Sequence, residues 1–249
     1  MWFSQAALSA WQSCPLKYKY RYLDGLYWPL ATGGQLSIKI ERGRQFHLLA
    51  QRYFGGWTGN PPGDPLLADW LEGLRGFLPL EPGLEYLPEY ELRLGGAVPL
   101  LAKFDLLVVG PGAVTIYDWK TEDKPPGPGL AAAPQSRLYL YLLSASGYFP
   151  QGKEAAMVYW NPRFPKKPLR LEYSARQEEE DGAWLKRLAE EITGAAAFPP
   201  TQEEKNCRYC EYRPVCHGQS LEDVQEELLD TDEVDWDQVQ EIELKGVIL

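Results

Sequence analysis

Apolar positions recur along this chain with two different periods, and the changes from one period to the other mark out its elements. After the Gly33-Gly34 breaker, Leu36, Ile40, Gly43, His47, Ala50 and Phe54 follow the three-and-four spacing of one helical face. This predicts a helix over 35–54 with His47 turned toward the core. The pattern then alternates, predicting three strands over about 84–94, 98–109 and 113–120, joined as antiparallel hairpins with Pro111-Gly112 at the second turn. A loop rich in Gly, Pro and Ala follows, and Pro134 suits the first residue of a helix running to about 146. Two further strands, near 155–160 and 169–173, precede a helix over about 176–192, whose run from Glu178 to Asp181 suits an N-terminal turn. The start reads as a helical segment over 9–23 opening at Ser9. Residues 55–83, rich in Gly, Pro and Trp with a short helix around 66–77, read as a cover over the core. The order of elements predicts an α/β protein.

Composition refines this picture. At 249 residues and 45% apolar side chains, the chain can bury one full core, and no linker interrupts it before residue 218. The expectation is one domain over 1–218 followed by an acidic tail over 219–249. The net charge of −10 opposes binding to polyphosphate at first sight, but eleven Asp or Glu residues lie between Glu222 and Glu243, and Lys245 is the only base beyond residue 221. The tail therefore carries the whole net charge, and the body is neutral. Within the tail, Val224, Leu228, Leu229, Val234 and Trp236 offer apolar anchors for a helicase or other protein partner; a phosphate mimic or a solvated helix are the alternatives. Near the start, Lys17, Lys19 and Arg21 interleave with Tyr18, Tyr20 and Tyr22, a mixture that suits contact with DNA, or else the solvated side of an amphipathic helix. No run approaches the roughly 18 apolar residues of a membrane span. The first residues lack a basic, apolar leader, so the expected location is the cytoplasm.

Chemistry concentrates in the second hairpin. If Pro111 and Gly112 are its two turn residues, Gly110 pairs with Ala113 and Asp105 lies opposite Asp118. Strand alternation then brings Lys120 onto the same face and turns Trp119 away. A three-residue turn would instead put the two carboxylates on opposite faces. Like charges directly across a sheet are unfavourable, and a hard, oxygen-ligated cation such as Mg2+ or Mn2+ would compensate them. A cation held there could activate water and offset charge on a phosphate, with Lys120 orienting that water, which is phosphodiester hydrolysis.

The four cysteines are Cys14, Cys207, Cys210 and Cys216, one near the start and a Cys-x2-Cys-x5-Cys group near the end. In an intracellular chain such a quartet reads as a metal site that closes a loop of about 200 residues. Spacing alone leaves zinc and an iron–sulfur cluster both open.

Four motifs stand in order: Gly43-Arg44-Gln45-Phe46-His47, Ala102-Lys103-Phe104-Asp105, Asp118-Trp119-Lys120-Thr121 and Gln135-Ser136-Arg137-Leu138-Tyr139. In this the chain resembles the RecB-like nucleases of the PD-(D/E)xK superfamily, related to recombination-helicase nuclease domains and CRISPR-associated exonucleases. It departs only at Ala102, where the family carries glycine. The resemblance implies a restriction-endonuclease-like core, a central mixed β-sheet flanked by helices, with the N- and C-terminal segments joined by the metal cluster. It implies that His47, Asp105, Asp118 and the Trp119 backbone carbonyl bind Mg2+ or Mn2+. Asp105, Asp118, Lys120, Gln135 and Tyr139 would be catalytic, and Arg137 a further DNA contact. Glu91 is a candidate auxiliary acid, with Glu89 competing for the role. For the cysteines the resemblance favours a structural 4Fe-4S cluster over zinc. The implied activity is a metal-dependent DNA exonuclease on single strands or ends, in repair, recombination or defence. The rival expectation is an inactive nucleic-acid-binding or scaffolding module with the same fold.

Overall fold

The computed structural model describes residues 2–27, 34–59, 62–148, 154–220 and 222–224. Five strands form one sheet in the order β1 (Glu85–Leu94), β2 (Leu100–Val109), β3 (Ala113–Trp119), β4 (Glu154–Trp160) and β5 (Leu169–Glu172). β3 and β4 run parallel and the other neighbours antiparallel, so the sheet is mixed. The parallel pair needs a crossover, supplied by a 3-10 turn over Pro128–Ala132 and a helix over Pro134–Ala145.

The remaining helices, in chain order, are α1 (Gln5–Ser13), α2 (Pro15–Tyr18), α3 (Gly34–Phe54) and α4 (Pro65–Phe77), with the crossover helix as α5, then α6 (Ala175–Gly194) and α7 (Arg213–His217). The first segment starts earlier than its pattern predicts. Ser4, not Ser9, caps α1, its hydroxyl accepting from the Ala7 N–H at 3.2 Å. The helix then breaks at Cys14, which is extended (φ −165°, ψ 109°) because a residue preceding proline is pushed out of the helical region. α2 and a π-helical turn over Lys19–Leu23 follow.

Contacts divide the chain into two compact units. The first comprises Met1–Phe3 and Glu41–Arg187 and contains the sheet. In its core, Phe46, Leu49, Ala50 and Phe54 of α3 and Leu67, Trp70, Leu71 and Leu74 of α4 pack with Leu106, Val108, Trp119 and Trp160. Segment 55–83 is therefore more than a cover: α4 supplies four side chains that are at most 4% exposed. Trp119 stacks on Phe54 (centroids 5.9 Å) and meets Trp160 edge-on (6.1 Å). The second unit comprises Ser4–Ile40 and Leu188–Leu249. Trp11 packs edge-on to Tyr18 and Phe198 and donates its indole N–H to Glu191 (3.0 Å). Of the tail anchors only Val224, which is buried, lies within the described residues; Leu228, Leu229, Val234 and Trp236 lie outside them. Among the described residues no helix is long and apolar enough to cross a membrane.

Candidate active site

The hairpin register is the one a two-residue turn dictates. Gly110 N–H donates to the Ala113 carbonyl (2.9 Å), and the ladder runs from Val109 opposite Val114 to Leu106 opposite Tyr117. Continued by one step, it sets Asp105 level with Asp118. At that step the backbone ladder stops, and the Trp119 N–H donates to Asp105 Oδ2 instead (2.8 Å). Alternation sends Trp119 into the aromatic core and leaves Asp118 and Lys120 on the opposite face, toward α5.

Two linked groups of side chains result. In one, Asp105 Oδ1 lies 3.2 Å from His47 Nδ1 while Oδ2 takes the Trp119 N–H. Burial pushes the Asp105 carboxyl up. The charge and hydrogen bond of His47, the Trp119 N–H and the Lys120 ammonium outweigh it and hold the group below the ordinary carboxylate range. In the other, Asp118 is met by Lys120 Nζ at 2.8 Å and by Gln135 Nε2 at 2.7 Å. Gln135 Oε1 in turn accepts from Lys120 Nζ (3.1 Å) and the Tyr159 hydroxyl (3.3 Å). These bonds fix the orientation of the Gln135 amide, since only its NH2 can donate to a carboxylate and only its oxygen can accept from an ammonium. Asp118, Lys120 and Gln135 are all buried, so the arrangement is preorganised rather than solvated.

His47 does not point into the core as its helical spacing predicts. Its neighbour Phe46 does, fully buried, whereas the His47 side chain is 33% exposed at the edge of the site. The reason lies at Gly43, one turn earlier. A Cβ there would stand 2.9 Å from Thr121 Oγ1, so glycine lets α3 close directly onto the residue that follows Lys120. Two of the four motifs thus touch, and that contact brings His47 to Asp105.

The remaining candidates fall elsewhere. Tyr139 is buried on α5 and donates its hydroxyl to the Lys103 carbonyl of β2 (3.0 Å). Arg137 pairs with Asp181 (2.5 Å) and lies 4.0 Å over the Trp184 ring. Lys17 is buried against Glu211 (2.7 Å), which also takes Arg21 (3.1 Å), and Lys19 pairs with Asp24 (2.5 Å). Lys17 is therefore neither a solvated cation nor displayed at the surface. Glu91 is engaged by Arg93 (2.7 Å). Glu89, with φ +54°, sits at the β1 position level with Asp105 and pairs with Lys103 (2.5 Å).

Three residues escaped the sequence reading. Tyr159, the parallel partner of Asp118, holds Gln135 and receives the Lys120 ammonium over its ring at 5.3 Å. Ser136 exchanges a 2.7 Å hydrogen bond with the Tyr159 hydroxyl. Asn161, fully buried just past β4, donates to the carbonyls of Glu122 (2.9 Å) and Lys124 (3.1 Å) and so ties down the loop leaving Lys120. The only signal for Tyr159 and Asn161 was their position at the end of a strand parallel to β3, and for Ser136 its place beside Gln135 on α5.

The donor set of His47, Asp105 and Asp118, one imidazole and two carboxylates, suits a hard divalent cation. As arranged, each carboxylate is compensated by protein donors. Among the described residues no three His, Cys, Asp or Glu side chains converge closely enough to enclose an ion. The four cysteines all lie in the second unit as free thiols. Cys14 accepts the Thr201 N–H at 3.4 Å, and its charge acts on Cys207, Cys210 and Cys216, so the four form one electrostatic group. Burial, the largest cause, pushes all of the last three up, Cys210 to about 11.

No curated protein matches the chain. Among solved structures, the chain is similar to SSO0001, at 18% identity over 88% of this chain and 87% of that one, with a TM-score of 0.46. It is also similar to a protein from Eubacterium rectale provisionally described as an exonuclease, at 10% identity over 81% and 85%, with a TM-score of 0.49. The family profile of the PD-(D/E)XK nuclease superfamily matches residues 2–75 and 63–217. With that match spanning the hairpin, both helices that flank it and the cysteine group, the chain belongs to the PD-(D/E)XK nuclease superfamily.

Proposed function

We propose that this protein is a Mg2+- or Mn2+-dependent deoxyribonuclease of the RecB-like kind, acting on single strands or DNA ends in repair, recombination or defence. The observation that carries this reading is the set of bonds from Asp118 to Lys120 and Gln135, level with the Asp105–His47 pair. His47, Asp105 and Asp118, with the Trp119 carbonyl, would hold the cation. A bound cation of this type supplies Lewis acidity and a water of lowered pKa. The chain's own residues do the rest. Gln135 holds the Lys120 ammonium beside Asp118. From there Lys120 can orient a water or offset negative charge on a phosphate oxygen in a buried setting, where such an interaction is strong. Tyr159 keeps Gln135 from turning. Tyr139 bridges α5 to the Lys103 carbonyl, and in this reading it acts as a positioning residue.

In the same reading Cys14, Cys207, Cys210 and Cys216 hold a structural 4Fe-4S cluster, and residues 219–249 form an acidic extension of the 1–218 nuclease domain that docks a helicase or other protein partner. The grouping of all four thiols in one unit supports the cluster. Brown protein absorbing near about 400 nm, with iron and sulfide in place of zinc, is the expected result; stoichiometric zinc in colourless protein refutes it.

The test of activity is cleavage of end-labelled single- and double-stranded DNA with Mg2+ or Mn2+. Asp118→Asn and Lys120→Ala should each lower the rate by about 10²–10⁴-fold. Wild-type protein carrying its full metal complement that binds DNA but never cuts it would support the inactive binding module instead.

A further inference from the structure

The second unit contains an open cleft of about 520 Å³ that takes no part in the chemistry above. Its volume falls in the range of roughly 300–1,000 Å³ common for ligand sites, but its lining is not that of an apolar ligand. Lys205, Arg208, Arg213 and His217 face it together with Thr201 and the amides of Gln202 and Gln219, against a single carboxylate, Glu204. The three cations Lys205, Arg208 and Arg213 on one cleft stand out in a chain whose body outside the tail is neutral. Of the four cysteines, Cys207 alone lines the cleft.

We propose that this cleft binds the sugar–phosphate backbone of a nucleic acid strand. Arg and Lys supply charge, and Thr and Gln supply neutral donors, the side-chain types that phosphate contacts use, whereas base-specific readout needs no such cluster. Arg208 and Lys205 are exposed, and Lys205 is engaged only loosely, 3.7 Å from a Glu203 that is itself exposed. Long, solvated cations around an open cleft fit a polyanion that passes through, rather than an enclosed small anion. The cations expected near the N-terminus, Lys17 and Arg21, are committed to Glu211; this cleft offers the positive surface they do not. The inference rests on the nuclease reading for its choice of ligand.

The test uses the full chain as purified and a fluorescent single-stranded oligonucleotide of about 20 nucleotides, more than the roughly 4–16 that one single-strand-binding module spans, with anisotropy recorded in EDTA so that no cleavage occurs. Lys205→Ala/Arg208→Ala should weaken binding about tenfold or more at 0.1 M salt. It should also flatten the plot of log affinity against log salt by about 1.4, which is two phosphate contacts at roughly 0.7 each. Lys205→Arg/Arg208→Lys should keep both affinity and slope, which separates lost charge from lost structure. An alanine pair with wild-type affinity and slope overturns the proposal, as does a wild-type chain that does not bind. Cleavage with Mg2+ or Mn2+ is measured in parallel: binding that depends on the cleft without any cleavage refutes the nuclease reading and leaves the cleft standing, whereas cleavage with binding indifferent to the cleft does the reverse.

Discussion

Replacing Glu211 with glutamine should destabilise the second unit by about 3 kcal/mol, because the ion pair it breaks is buried. Lys17 and Glu211 are 6% and 9% exposed at a separation of 2.7 Å, and the other Glu211 oxygen holds Arg21, itself 18% exposed. Removing one partner of such a pair leaves an uncompensated buried charge, a loss of about 3–5 kcal/mol. The glutamine carbonyl still accepts one hydrogen bond, which returns about 1 kcal/mol, and Arg21 is near enough to solvent to find water. The figure therefore lies at the low end of the range. The assay follows from the cysteines. All four thiols are in this unit, but Cys216 is exposed, so in reduced, metal-free protein the rate at which Cys210 is labelled in urea, read by peptide mapping, reports its opening without interference from the sheet. A loss of about 3 kcal/mol shifts that equilibrium by more than about 100-fold. Adding Lys17→Met should recover most of the loss, because replacing both partners by groups of similar volume is often close to neutral. A Glu211→Gln protein within about 1 kcal/mol of wild type, or an equal loss in the Lys17→Met background, would refute the idea that this pair is desolvated and coupled.

Three further outcomes are expected. Gly43→Ala should change stability by less than about 1 kcal/mol, as the helix gain of about 1 kcal/mol offsets the push on Thr121, yet lower the cleavage rate tenfold or more by shifting His47; Gly43→Ala combined with Thr121→Ala should restore the rate, and failure to do so would count against the contact. Asn161→Ala should cost about 2–3 kcal/mol in urea unfolding followed by tryptophan fluorescence, since it strands the Glu122 and Lys124 carbonyls and the Arg163 N–H. In reduced, metal-free protein, alkylation followed by peptide mapping should modify Cys210 last, with its rate rising only as pH approaches about 11. The raised thiol pKa also contributes stability that is complete below the ordinary thiol value of about 8.5 and is lost as pH climbs from there toward about 11.

The hairpin was legible because its information is local: a two-residue turn and a period of two decide which side chains meet, and Asp105, Asp118 and Lys120 needed nothing further. Gly43 carried a motif but not its reason, since the atom it must avoid belongs to Thr121 on another element. Lys17 reads as solvated beside Lys19 and Arg21, and only the fold brings it Glu211. The α4 side chains Leu67, Trp70, Leu71 and Leu74 do follow helical spacing, but the glycines and prolines around them argue for a surface segment, and burial overrode that composition. Tyr159 and Asn161 gave no warning, because a parallel pairing across a crossover leaves no mark in the intervening sequence.

The bond from the Trp119 N–H to the Asp105 carboxylate has a practical consequence for anyone making a dead variant. At that level the seam between β2 and β3 is stitched by a side chain, so Asp105→Ala unpicks a strand end as well as removing a charge, and its defects would mix architecture with chemistry. Asp105→Asn keeps an acceptor for the stitch and discards only the charge. The pair of variants, read side by side, turns one residue into a measure of how far the β2–β3 seam must stay closed for the site to work.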